Sequence, residues 1–384
     1  MKILQLVQSF LPRIGGVEVG VHNLSNELVR RGHDVIVLAA AMPERASGGL
    51  GLPGFEPRYQ IAEYPFGQRF GEILGRNYRA ILDALKRLRR DFGFDVVHAR
   101  QLYYPGYCAL QGRRRWTYPL AITEHGDFYM MAQGFSPRPS RRIWARILGT
   151  IRTAPCLTAP GSEVFDLLMR HRAAPPGLSR RLPNGVCVPA PSQIDRLRST
   201  LRSSTPLVLM VGRNHPIKAF DLGLQAMAML QARLPRARMT IIGTGSERLA
   251  PQVRRLGLTG AVELAPPCAG EAFWRHYAAA TMLWMPSRAE NMPLSKYEAM
   301  CFGLPGVYND AQGVREDIHN EVNGLLFRSN DAEDLARQAE RLIDDAALRD
   351  RIAGAARATG DHFRWERLVE VYERFYEELI AQSR

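Results

Sequence analysis

Short apolar runs rich in β-branched residues alternate along this chain with longer stretches whose apolar positions recur every three to four residues. "KILQLVQS" is followed by "VEVGVHNLSNELVRRG" and then "HDVIVLAA"; "FDVVHAR", "YPLAITEHG" and "CLTAPGS" come later. Near-continuous apolar runs suit strands buried on both faces, and the helical periodicity between them supplies crossovers, so the pattern predicts a parallel sheet covered on both sides. The same pattern restarts at "PLVLMVGR" and runs through "FDLGLQAMAMLQARLP", "ARMTIIGTG", "AVELAPP", "TMLWMPS", "LPGVYND" and "GLLF". A Pro- and Ser-rich stretch, "AAPPGLSRRLPNGVCVPAPSQIDRLRSTLRSSTP", separates the two series like a domain boundary. The tail from Asp331 to Gln382 reads as three consecutive helices. The prediction is an α/β chain of two doubly wound, Rossmann-like domains, residues 1–190 and 191–362, followed by a last helical segment, 363–384. Ligands of such sheets bind outside the carboxyl ends of the strands, so function is expected in a cleft between the two domains.

Composition narrows this picture. The 384 residues and 46% hydrophobic content supply a core for each domain. No apolar run is long enough to span a membrane, and "MKILQLVQSF" reads as a first strand rather than a secretion signal. Cys108, Cys156, Cys187, Cys268 and Cys301 are scattered without a Cys-x-x-Cys pair, which suggests neither a zinc site nor a disulfide framework and fits a reduced cytoplasmic setting. The formal net charge of +13 is confined to one half: residues 1–200 hold 28 Lys and Arg against 15 Asp and Glu, whereas residues 201–384 hold 23 of each. An anionic partner of the first half follows, either a membrane surface, a phosphorylated acceptor or nucleic acid. No aromatic-studded RNA-binding sheet or recognition helix accompanies that charge, so nucleic acid is not the expected partner.

Candidate chemistry concentrates in the second series. In "VGRNHPIKAFD" a strand ends at Val211-Gly212, and Arg213 and Lys218 project from the loop that follows, a pair suited either to a diphosphate or to surface ion pairing. "IIGTGSE" places Gly243 and Gly245 after a strand, and "PRIGGVEVG" places Gly15 and Gly16 at a helix start; each serves a phosphate or merely a tight turn. In "RAENMPLSKYEAMCFGLP", Pro293 is the expected first helical residue, with Glu290 in the loop before it and Glu298 inside the helix. At helical rise the two carboxylates lie up to ~12 Å apart, too far for a shared proton or one metal ion. They suit the two ends of a ligand with an anionic middle, such as a nucleotide-sugar, or else a helix cap and a decorated helix face.

The ordered set "GGVEVGVHNLSNELVRRGHDVIVLA", "ITEHGD", "LPNGV", "VGRNHPIKAFDL", "IIGTG", "PSRAENMPLSKYEAMCFGLP" and "QGVREDIHNEVNGLLF" resembles the retaining, nucleotide-sugar-dependent glycosyltransferases of the group 1 family, which have the GT-B fold. The resemblance covers nearly the whole chain. It implies that Glu290 contacts the transferred sugar and Glu298 the nucleotide ribose, that Arg213 and Lys218 grip the diphosphate, that His125 lies beside the sugar, and that Gly16 lies near the phosphates and acceptor. It also implies that the last helix crosses back to brace the first domain. Where many members read E-G-F-G this chain has Glu290-Asn291-Met292-Pro293; proline removes one N–H, and the Leu294 and Ser295 amides remain available. The usual Gly-Gly is Gln312-Gly313, with Glu316 in the downstream acidic position. Gly212, Gly243 and Gly245 complete the implied donor site.

The implied reaction moves a sugar from a nucleotide-diphosphate sugar, a UDP-sugar foremost, to an acceptor hydroxyl that attacks from the face the diphosphate leaves. A phosphate oxygen takes the proton, or Asp127 serves as base near His125. No cofactor beyond the nucleotide-sugar co-substrate is expected and no metal, because the cations present neutralise the diphosphate. The acceptor is expected at the basic first half, with Gly15, Gly16, Asp127, Arg141 and Arg142 as candidates. "RNYRAILDALKRLRRDF" and "SPRPSRRIWARILGTIRTAP" combine Arg with apolar residues at helical spacing, including Ile143, Trp144, Ile147, Leu148 and Ile151. Each is either a basic amphipathic helix lying on an anionic membrane or an ordinary helix with one buried face. The first option places the protein peripherally on the inner face of the membrane with a lipid-linked or cell-envelope saccharide acceptor; the second leaves room for a soluble natural-product acceptor.

Overall fold

The fold is that of a computed structural model, which describes residues 1–42, 56–67, 76–173, 175–202 and 204–383. The chain forms two compact units, Met1–Gly185 with Trp365–Arg384, and Val186–Arg364.

The first unit contains β1 (Lys2–Leu6), β2 (Asp34–Ala40), β3 (Gln60–Tyr64), β4 (Val96–Ala99), β5 (Leu120–Thr123), β6 (Leu157–Ala159) and β7 (Arg180–Arg181). They pair in parallel in the order β3-β2-β1-β4-β5-β6-β7. The second unit contains β8 (Leu207–Val211), β9 (Arg238–Ile242), β10 (Val262–Ala265), β11 (Met282–Met285), β12 (Gly306–Asn309) and β13 (Leu325–Phe327), parallel in the order β10-β9-β8-β11-β12-β13. In each sheet the winding reverses beside the first strand, between β1 and β4 and between β8 and β11. Loops leaving those two strands diverge to opposite faces and open a crevice at the carboxyl edge.

Alternation along the strands explains the layering. In the second unit Val208, Met210, Trp284 and Val307 face a core shared with helices Phe220–Arg233 and Ala332–Asp344. Leu209, Leu283, Met285 and Tyr308 face the opposite core, shared with helices Gly270–Ala279 and Leu294–Cys301. Both faces are covered, and so the strands read as unbroken apolar runs.

Two strands of the first sheet carry no such run. β3, "QIAEY", lies at one sheet edge with two exposed residues, and β7, two partly buried arginines, lies at the other. Edge strands need less apolar surface, which is why periodicity alone passes over them. The unit boundary also falls earlier than residue 190. Val186 N–H donates to the Phe363 carbonyl at 2.8 Å, and the Arg364 guanidinium donates to the Pro189 carbonyl at 3.1 Å, which ties 186–190 into the second unit. Likewise the last element begins at Trp365 rather than 363: helix Trp365–Ala381 packs in the first unit. Gln5 Nε2 donates to Tyr376 Oη at 3.0 Å, Tyr372 Oη donates to the Pro183 carbonyl at 3.1 Å, and Arg31 and His33 both engage Glu373. Gly185 makes room for the Trp365 indole, since a Cβ there would lie 2.4 Å from its ring.

Candidate functional site

The carboxyl edge of β8 and β11 in the second unit collects the residues that could handle an anion. β8 ends at Val211, and Gly212 turns the chain at φ +150°. Arg213 is exposed, and a turn at Pro216–Lys218 brings Lys218 back toward the sheet. From the loop after β11 comes Glu290. Lys218 Nζ donates to Glu290 Oε1 at 2.6 Å, with side-chain exposures of only 21% and 11%. Arg288 secures the same two loops to each other: its N–H donates to the Ile217 carbonyl at 2.7 Å, and its guanidinium pairs with Asp221 at 2.9 Å. The pair Lys218–Glu290 is thus held by backbone on both sides rather than hanging from two free loops.

The loop after β9 closes one flank. Gly243 and Gly245 have φ of +145° and +82°, and Asn214 ties this loop to the one after β8 through the Thr244 and Gly245 carbonyls, at 2.8 and 3.0 Å. A Cβ on Gly243 would lie 2.0 Å from the Gly212 carbonyl oxygen. Backbone conformation and close approach therefore both demand glycine at Gly243 whatever binds there. Gly243→Ala is expected to cost about 3 kcal/mol of stability in denaturant unfolding, from strain plus the clash. A cost below about 0.5 kcal/mol would mean that this turn relaxes freely.

The stretch 290–298 differs from its sequence reading in two details. Pro293 has φ −72° and ψ 114° and caps the helix from outside; the helix itself is Leu294–Cys301. Met292 is buried in the apolar core under that helix, so any ligand contact at this position belongs to its backbone. Asn291 and Pro293 are buried, and Leu294 and Ser295 are half-buried. Glu298 accepts a hydrogen bond from Tyr277 Oη at 2.6 Å, and burial pushes its carboxyl up to about 7 despite that bond. Among the described residues no three His, Cys, Asp or Glu side chains gather as a metal-ligand set.

In the first unit the equivalent edge carries His125, on the loop after β5. Its Nε2 is buried with no hydrogen-bond partner among the described residues, and burial, reinforced by the Arg100 charge, holds the ring well below its usual protonation range. It is neutral at pH 7. Arg100, at the end of β4, is fully buried and its Nη1 lies 3.3 Å from His98 Nδ1. The turn that presents His125 is fixed by Glu124, whose Oε1 accepts from the Gly126 and Phe128 N–H groups, both at 2.8 Å. Burial, together with the Asp127 charge, raises the Glu124 carboxyl. Asp127 itself is exposed at the start of helix Asp127–Ala132. Gly15 caps helix Gly16–Arg30, and at Gly16 a Cβ would meet nothing within 4 Å. Turn geometry therefore does not require glycine at Gly16, and the helix start presents bare backbone to open space.

Arg141 and Arg142 are exposed at the start of helix Arg141–Thr153. Ile147 and Ile151 of that helix are buried, and Trp144 stacks on the buried Phe128 at 5.3 Å. Helix Arg76–Asp91 likewise buries Ile81, Leu82, Leu85 and Leu88 and exposes Arg79, Lys86, Arg87, Arg89 and Arg90. The core-facing positions of both helices are occupied inside the unit, while Ile143, Trp144 and Leu148 stay half-buried beside the exposed arginines.

Sequence reading missed Arg288, Glu124, Tyr277 and Arg100. Arg288 and Tyr277 act on partners distant in sequence, Asp221 and Glu298, whereas Glu124 and Arg100 bond to near neighbours, and their strand-end position was the only usable signal.

Two Rossmann-like parallel sheets, each with its crevice at the carboxyl edge, define the GT-B fold. Two solved structures match it over nearly the whole chain: sucrose-phosphate synthase from Thermosynechococcus elongatus, with TM-score 0.81, 19% identity and 100% of each chain covered, and Anabaena Alr3699/HepE in complex with UDP-glucose, with TM-score 0.77, 20% identity, and 99% and 100% of the two chains covered. Residues 192–359 match the family model of glycosyl transferases group 1, and residues 14–188 that of glycosyltransferase family 4. Similar curated proteins include the D-inositol 3-phosphate glycosyltransferases of Nocardioides sp., 30% identical over 73% of this chain and 67% of that one, and of Geodermatophilus obscurus, 29% identical over 96% and 87%. The chain belongs to the group 1 glycosyltransferases.

Proposed function

We propose that this glycosyltransferase moves a hexose from a UDP-sugar to a hydroxyl of a cell-envelope or lipid-linked saccharide, with retained configuration and without a metal ion. The observation that carries the reading is the Lys218–Glu290 pair at the reversal point of the second sheet, with Arg213 exposed on the same loop. Cleavage of a sugar–diphosphate bond builds positive charge on the anomeric carbon and negative charge on the leaving group. Arg213, Lys218 and the Leu294 and Ser295 amides would stabilise the departing diphosphate, which is commonly the largest catalytic contribution. Glu290, already facing Lys218, would accept hydrogen bonds from the sugar hydroxyls, and Glu298 from the ribose diol. Neutral His125 suits a hydrogen-bonding role toward the sugar rather than a charged one. The acceptor hydroxyl would attack from the leaving-group face and pass its proton to a phosphate oxygen; Asp127, exposed within the turn that Glu124 fixes, is the weaker candidate base.

UDP is favoured because the Anabaena protein of the same fold is solved with UDP and with UDP-glucose. A thermal-shift screen over UDP-, GDP-, ADP- and TDP-sugars tests this, since a ligand of the folded state must raise the melting temperature. UDP-sugars should give the largest shift, unchanged by EDTA; a shift confined to another base, or one abolished by EDTA, contradicts the donor or the metal-free reading respectively.

A soluble phosphorylated acceptor is the second reading, favoured by the name of the curated relatives, D-inositol 3-phosphate glycosyltransferase. No helix of the described residues is long and apolar enough to cross a membrane. The envelope reading places the protein in the cytoplasm, on the inner membrane face. Because both basic helices expose several arginines, vesicles with roughly 30% anionic lipid should bind the protein at low salt and release it once the Debye length falls to a few ångström. Absence of binding at low salt favours the soluble acceptor.

A further inference from the structure

Lysine occurs four times in the chain, and two of the four flank Glu290 in sequence or space: Lys218 and Lys296. Nothing in the reaction outlined above uses Lys296. It is fully buried on helix Leu294–Cys301, and its Nζ donates to the Val314 carbonyl at 3.1 Å and the Glu316 carbonyl at 2.5 Å, with the Tyr297 ring 4.7 Å away. The next side chain reinforces the link, for Tyr297 Oη donates to Asp317 Oδ2 at 2.7 Å. A buried ammonium is costly unless its protons are hydrogen-bonded, and two main-chain carbonyls of one loop satisfy it here.

That loop lies directly on the backbone of Glu290. The Glu290 N–H donates to the Gln312 carbonyl at 3.3 Å, and a Cβ on Gly313, at φ +70°, would stand 1.8 Å from the Glu290 carbonyl oxygen. Residues 312–313 and Glu290 are therefore in van der Waals contact through bare main chain. A shift of the loop cannot occur without a shift of Glu290.

We propose that Lys296 is a positioning residue for Glu290: its ammonium clamps the 312–317 loop to helix Leu294–Cys301, and the loop in turn fixes the Glu290 backbone so that its carboxylate faces Lys218. The proposal rests on the reading of Glu290 as a donor-site residue. Arg288 secures the opposite end of the same segment, so Glu290 is braced from two directions.

The test uses the full chain with Lys296→Met, which keeps the length of the stem and removes the three donors, and Lys296→Arg, which keeps donors for both carbonyls. Amide hydrogen exchange, measured without ligand, should accelerate about tenfold in Lys296→Met at both 288–292 and 312–317. With UDP-glucose as probe, kcat should fall about thirtyfold while KM stays within about threefold, the cost of a slightly misplaced group, and Lys296→Arg should recover most of the loss. Faster exchange confined to 312–317, or a kcat within twofold of wild type, overturns the proposal. Should Lys296→Met fail to fold, Lys296→Gln, with a donor on a shorter arm, carries the same readouts with a smaller expected loss, about tenfold. A wild-type protein that consumes none of the UDP-sugars refutes the donor reading, and the exchange pattern then decides the role of Lys296 alone.

Discussion

Lys218→Ala is expected to lower sugar transfer about 10³-fold, as is Glu290→Ala, with little change in secondary structure. Two effects combine. Removing the ammonium withdraws a cation from the leaving diphosphate, and it leaves the Glu290 carboxylate, 11% exposed, without its 2.6 Å partner beside an incoming anion. Removing Glu290 takes away the group proposed to meet the sugar and frees Lys218 to settle elsewhere. Because the two act as one device, the double variant should be hardly slower than either single one, well short of the product of the two losses. Steady-state rates of the four proteins decide this. Multiplying effects would mean that the pair is coincidental, and near-normal turnover in either single variant would remove that residue from the reaction.

Glu298→Gln should separate binding from stability in opposite directions. Burial holds the Glu298 carboxyl up at about 7, against 4.5 for an ordinary glutamate. A carboxyl whose folded value is raised favours the folded state while protonated, and that contribution is lost as pH rises from the unfolded value through about 7. At pH 8 the wild-type protein therefore bears the ionisation cost, and Glu298→Gln should be more stable by about 2 kcal/mol, allowing for the water that still reaches the side chain. Below pH 4.5 the two proteins should converge. Donor affinity moves the other way. The amide accepts from a ribose diol more weakly than a carboxylate, so UDP should bind about 30-fold less tightly, and wild-type affinity should itself weaken as pH drops below 7. Denaturant melts and titration calorimetry across pH 5 to 9 measure both. Equal UDP affinity in the two proteins would detach Glu298 from the ribose.

The strands that fill both cores were readable in the sequence, because burial on two faces leaves an unbroken apolar run such as "LVLMV" or "MLWM". The placement of Arg213, Lys218, Glu290 and Glu298 was readable too, since strand-end loops and a helix start restrict where such side chains can lie. What lay beyond sequence reading were pairings across long separations. Lys218 and Glu290 stand 72 residues apart, and Arg288 and Asp221 stand 67 apart, so no periodicity connects them. The division of labour between Glu124 and Asp127 was invisible for another reason. Either acidic residue could cap the turn after β5, and only the observed bonds to Gly126 and Phe128 show that Glu124 does so. The basic helix Arg141–Thr153 was ambiguous because periodicity does not say which apolar positions are buried: Ile147 and Ile151 are, whereas Ile143, Trp144 and Leu148 are half-buried.

The most direct test of the donor site is a hydrogen-exchange footprint of UDP on the intact protein. Saturating UDP should slow exchange at 212–218, 243–249 and 290–298, the three loops gathered at the carboxyl edge of β8, β9 and β11. Protection that falls elsewhere, with these three segments unchanged, would contradict the assignment of that edge to the nucleotide-sugar.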